Sequence, residues 1–182
     1  MTATRLATGT LGAALSFALF SCSADKSTQS AKPEIEFMTS VDPSSGQGDE
    51  AVLTARFSPP VGRTLREARV LLNSGLDGRF ACYVYYLKPD NAFRLVEDTG
   101  SGSTGIAVGA ASSLENSQCS LDGTHSSAQM DGNVVLLSLA LKFKLPWFHG
   151  NKKIYLYAEA ADGSNSGIQP KGSWTVTSGT AK

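Results

Sequence analysis

Glu50-Ala-Val-Leu-Thr-Ala-Arg-Phe57 decides the class of this chain. Ala51, Leu53, Ala55 and Phe57 fall on one side of an extended backbone, and Val52, Thr54 and Arg56 on the other. A period of two is the mark of a half-buried strand. Working outward, comparable runs lie at 35–41, 68–73, 80–87, 93–97, 133–143, 153–160 and 173–177, with a shorter one around Cys119. Val134–Leu141 is apolar on both faces and reads as a central strand or a helix; Gly132 before it and Pro146 after it favour the strand. Leu87-Lys-Pro-Asp-Asn91 has the chemistry of a tight turn and predicts a hairpin between 80–87 and 92–97. Asp162-Gly-Ser-Asn-Ser-Gly167 predicts another. Strands without intervening helices imply an all-β antiparallel sandwich or barrel of about 7–9 strands.

The start of the chain reads as an export signal. Arg5 precedes an apolar run, Leu11–Phe20, too short to span a bilayer as a permanent helix. The run ends in Leu19-Phe20-Ser21-Cys22, which resembles the lipobox of a bacterial lipoprotein precursor. That resemblance implies a lipid on the Cys22 thiol and cleavage before it. Phe20 is bulkier than the family pattern, and an ordinary signal peptide cut after Ala24, or an uncleaved anchor, are the other readings. Ser23, where some lipoproteins carry an aspartate that retains them at the inner membrane, leans toward an outer membrane or cell surface. The expected organisation is a signal peptide at 1–21, a lipidated flexible tether at 22–33 and one sandwich domain at 34–178. Cleavage leaves 182 less 21, or 161, residues, which suits one domain. It also removes one of 16 basic residues against 16 acidic ones, leaving a net charge near −1 and no basic block. A nucleic-acid partner is not expected. The membrane, through the lipid, is one expected partner, a glycan or an envelope protein another, and the chain is expected to be monomeric.

With Cys22 taken by lipid, Cys82 and Cys119 remain as an even pair in an oxidising compartment, and a disulfide between them is expected. A metal site would need further ligands, and His125 and His149 do not have ligand spacing. Gly150-Asn-Lys-Lys-Ile-Tyr-Leu-Tyr-Ala-Glu-Ala-Ala-Asp-Gly163, followed by Gly172-Ser-Trp-Thr-Val176, resembles the closing strands of an immunoglobulin-like or fibronectin type III-like sandwich. The order ACYVYY, NSQC, LALKF, GSWTV, over roughly 40–177, is similar to a module recurrent in secreted bacterial proteins. The resemblance carries no catalytic residue and no assigned activity with it.

Reactive motifs are missing. There is no Gly-x-Ser-x-Gly elbow and no phosphate-binding Gly-x-x-x-x-Gly-Lys. His125 sits in a polar loop and His149 follows Trp147-Phe148; neither points to catalysis, and no cofactor is expected. Asp162, Ser164 and Ser166 have the alternate oxygens of a calcium loop but too few carboxylates, so a plain hairpin is the stronger reading. The Gly/Ser-rich segment 99–117 is long for a loop and reads as a binding loop, a short strand near Ile106–Val108, or slack held by the disulfide. Alternation gives the one sharp binding idea. If Cys82 and Ile154 point inward, then Tyr83, Tyr85, Tyr155 and Tyr157 point outward, and neighbouring strands would make of them an exposed platform. The function expected is a non-enzymatic envelope lipoprotein whose sandwich serves binding or structure. A carbohydrate-binding module using the tyrosine face is the alternative, and an envelope hydrolase a remoter one.

Overall fold

A computed structural model describes residues 36–178. Cys22, the signal segment and the tether lie outside the described residues. Those residues form thirteen strands and no helix. They are β1 (Met38–Asp42), β2 (Ser45–Gln47), β3 (Glu50–Ser58), β4 (Leu65–Asn73), β5 (Cys82–Leu87), β6 (Ala92–Val96), β7 (Ser103–Ala107), β8 (Ser113–Glu115), β9 (Cys119–Asp122), β10 (Ser127–Asp131), β11 (Val134–Phe143), β12 (Gly150–Ala160) and β13 (Gln169–Val176). The count exceeds the seven to nine expected because β2, β7, β8 and β10 are short and polar, with too few apolar residues to show a period.

Two sheets face each other. One runs β1-β3-β11-β9-β8, with β10 also on β11; the other runs β2-β13-β12-β4-β5-β6-β7. All pairs are antiparallel except β2 on β13. The first strand is thus split between the two sheets, and the order matches the A-B-E-D and A′-G-F-C-C′-C″ sheets of a variable-type immunoglobulin domain. β7 and β8 are extra strands between C″ and D. The ambiguous run 134–141 is a central strand, paired with β3 from Val135 to Lys142. Its outward residues Val134, Leu136, Ser138 and Ala140 are half-buried, and β10 pairs along its first half.

The alternation read from 50–57 holds: Leu53, Ala55 and Phe57 are buried between the sheets, while Val52 is exposed. Inward residues of β4, β5, β11 and β12 complete one continuous core, which includes Trp174. Trp174 donates its indole N–H to the Gly48 carbonyl at 3.0 Å. Its ring lies where a Cβ on Gly46 would be, 2.1 Å from the nearest carbon, so only glycine fits there.

Cys82 on β5 and Cys119 on β9 form the expected disulfide, with Cα atoms 5.5 Å apart. It joins the two sheets. An immunoglobulin domain has its bond between strands B and F. Here the corresponding strands, β3 and β12, carry Leu, Ala and Ile inward instead, and the crosslink lies on the C′–D flank.

Candidate functional site

The outer face of the seven-stranded sheet is built around β4. Ala68, Val70 and Leu72 point into the core, so Glu67, Arg69 and Leu71 point out. The register places Leu71 between Tyr155 of β12 and Tyr83 of β5, and Arg69 between Tyr157 and Tyr85. Both parity assignments made from the sequence are therefore correct, and all four tyrosines share a face. They are not, however, the exposed platform expected. Tyr83 and Tyr155 are 8% and 7% exposed and join Leu71, Ala81 and Val96 in a second apolar cluster on this outer face. Only Tyr85 and Tyr157 are half-exposed.

Arg69 occupies the middle of the face. Its guanidinium carbon lies 4.4 Å from the centre of the Tyr85 ring and 4.7 Å from that of Tyr157. A cation over an aromatic face is attracted by the ring quadrupole. The Arg69 Nε–H donates to the Glu67 carboxylate, and Nη1 approaches the Tyr83 hydroxyl at 3.5 Å. Burial lowers the guanidinium pKa, but the hydrogen bonds to Glu67 and Tyr83 outweigh it and the net shift is upward. Burial, then the bond to Glu159, pushes Tyr157 up to about 12. That hydroxyl donates to Glu159 at 2.7 Å, and Glu159 also pairs with Arg66. The bond from Tyr157 is the main reason the Glu159 carboxyl is held below its usual range, although burial opposes it. The row is a preorganised set of rings and charges. One ring face of Tyr85 and of Tyr157 is already taken by the chain's own guanidinium, which removes the open stacking surface the sugar-platform reading needs.

The sequence reading missed Arg69 and Glu67. The alternation of Ala68, Val70 and Leu72 would have sent both residues outward, but nothing local says that β4 runs between the two tyrosine strands.

The hairpin favoured at Asp162–Gly167 over a calcium loop joins β12 to β13 and carries Asp162, Ser164 and Ser166. Arg63, from the β3–β4 connection, pairs with Asp162 and donates to Ser164 at 2.9 Å. The Ser166 hydroxyl accepts from the backbone N–H of Ala158 at 2.9 Å. The 99–117 segment is neither slack nor one open loop. It contains β7 and β8, and Asn116 donates to the carbonyls of Ala81 and Val96 at 2.8 and 2.9 Å.

A cleft of about 710 Å³ lies on the opposite side of the molecule, over the outer face of the first sheet. His125 is on its wall, with Nδ1 2.7 Å from Asp122. Among the described residues, His125 hydrogen-bonds only within its own turn, and no serine oxygen is bonded to it. The remaining histidine, His149, is exposed beside the buried Phe148.

No protein-family model and no curated protein sequence matches this chain. Among solved structures, murine CRIg is similar over 80% of this chain and 99% of that one, at 10% identity and a TM-score of 0.39. The fold assignment rests on the strand order.

Proposed function

We propose that this protein is a non-catalytic binding module displayed from the bacterial cell envelope by a lipid on Cys22, and that it holds a protein partner on the outer face of its seven-stranded sheet. The observation that carries the partner face is the Tyr157–Arg69–Tyr85 row. Tyrosine and arginine are the residue types that dominate the energetics of protein interfaces. Here they are held by cation–π contacts and by Glu67, so little side-chain entropy remains to be lost on association. A sugar-stacking face is less well supported, because two rings are buried and the other two are committed to Arg69.

The face is tested by photocrosslinking in the native host. A photoreactive residue at exposed Lys153, two residues from Tyr155 and on the same face, should yield a discrete crosslinked protein. The same residue at Thr54, on the outer face of the other sheet, should not. Tyr85→Ala combined with Tyr157→Ala should abolish the Lys153 adduct while leaving the fold intact. Equal adducts at both positions, or an adduct indifferent to the double substitution, would refute the face.

The anchor is tested separately. Expressed in a bacterium fed radiolabelled palmitate, the wild-type chain should take up label and fractionate with membranes, and Cys22→Ala should do neither. More than one acyl chain is needed for stable anchoring, so partial release of the labelled form by salt would count against the lipoprotein reading. The Ser23 position leads us to place the protein at the outer membrane or cell surface.

A further inference from the structure

The cleft on the first sheet is a built cavity that the partner face does not use. Its floor is the outer surface of β3, β11 and β9, where the rows Val52–Ala140 and Glu50–Lys142–Ser120 run across the strands. Ala140 and Ser120 are the small side chains of that floor and let a ligand approach the sheet between Val52 and the Glu50–Lys142 pair. One wall is the turn after β9, and the other is the connection before β8. These two segments are locked together at Gly123. Its N–H donates to the Ser112 carbonyl at 2.9 Å, and an added Cβ would lie 2.4 Å from that oxygen and 2.6 Å from the Ala110 carbonyl. No side chain fits at such distances, so the wall exists only because residue 123 is glycine.

The chemistry of the lining narrows the ligand. Its polar groups are largely engaged with each other: Lys142 donates to Glu50 at 2.8 Å, and Asp122 is hydrogen-bonded to the His125 ring at 2.7 Å. Asp122 is further fixed by the Thr124 backbone N–H at 2.8 Å. The cleft therefore presents oriented donors and acceptors, joined by the hydroxyls of Ser113, Ser120 and Thr124, and with Lys142 matched to Glu50 it offers no free lysine or arginine to select an anion. An added peptide strand is not favoured, because the floor offers no free backbone edge. Even at Ala140, where the ladder passes from β10 to β9, the N–H is bonded to the Ser126 hydroxyl at 3.0 Å. A volume of about 710 Å³ is that of a ligand of a few rings. We infer that the cleft binds a neutral carbohydrate, a short uncharged oligosaccharide whose hydroxyls bond to Asp122, His125 and the serine and threonine hydroxyls.

The test uses the full chain, lipidated and held in a detergent without a sugar headgroup, with nitrogen-15 labelling. Neutral hexasaccharides of glucose, xylose, mannose and N-acetylglucosamine are titrated to 10 mM, with heparin hexasaccharide as the charged comparison. At least one neutral sugar should shift the amide signals of Ser113, Ser120, Thr124 and Ala140 and leave those of Arg69 and Tyr85 in place. His125→Ala, an exposed change, should weaken that binding at least tenfold with an unchanged spectrum elsewhere. Ser120→Trp, which fills the floor, should abolish it, and Ser40→Trp, on the same sheet outside the cleft, should not. No shift at the cleft with any neutral sugar, preference for heparin, or shifts confined to the tyrosine face would each overturn the inference. Failure here leaves the partner face untouched, since its crosslink is read on the other sheet.

Discussion

Replacing Cys82 and Cys119 together by alanine is expected to lower the unfolding free energy by about 4 kcal/mol in the chain-entropy account. The two residues are 37 apart in sequence, so the bond removes a large share of the unfolded chain's freedom between them. Both are fully buried in the main core. The segment they enclose contains β6, which Phe93 and Leu95 anchor in the core, and then β7, β8 and the Asn116 clasp, which bury little apolar surface of their own. The loss should therefore be concentrated there. Urea unfolding of the oxidised wild type against the double variant measures the total, and native-state hydrogen exchange should show the largest gain in opening between 97 and 117. A loss below about 1 kcal/mol would show that residual structure in the unfolded chain already supplies the constraint.

Arg69→Ala is the second large expected effect, about 3 kcal/mol of stability together with loss of the Lys153 crosslink. Glu67 is 6% exposed, and Arg69 is the partner that bonds it directly, since Arg66 stands 3.9 Å away. Removing the guanidinium leaves a buried carboxylate and takes the cation from between two rings. Arg69→Lys separates charge from shape. An ammonium keeps the charge but cannot lie flat against two rings and bond Glu67 along one edge, so it should recover less than half of the loss. Chemical denaturation of both variants, with Glu67→Gln in a double-mutant cycle, gives the coupling. Full recovery by lysine would mean that the site needs only a positive charge, and the row would lose its standing as a preorganised hot spot.

The legible parts of this molecule are those in which one residue's neighbours in sequence are also its neighbours in physics. In Ala51–Phe57 a strand's two faces meet different media, so its period is written along the chain. The same rule correctly sent Tyr83 and Tyr85 outward from Cys82, and Tyr155 and Tyr157 outward from Ile154 and Leu156. The turn at 88–91 is legible because Pro and Asn have local backbone preferences; Asn91 takes a φ of 43° in it. The cysteine pair follows from parity of number and the compartment that the first 22 residues imply.

What tertiary structure decided is what depends on which strands lie side by side. Outward parity did not tell whether the tyrosines would be open, because exposure depends on the neighbouring strand: β4 supplies Leu71 between one pair of rings and Arg69 between the other. The turn at 162–167 is tied to Arg63, about one hundred residues away in sequence. The cleft wall hangs on Gly123 meeting carbonyls of a separate connection, a contact without any sequence period. The sequence alone determined the class, the strand faces and the covalent crosslink, because these follow from backbone geometry, side-chain polarity and thiol chemistry. Strand order, the arginine between the rings and the cleft came only with the fold, because the lateral pairing of strands is set by the packing of the whole core and not by any one segment.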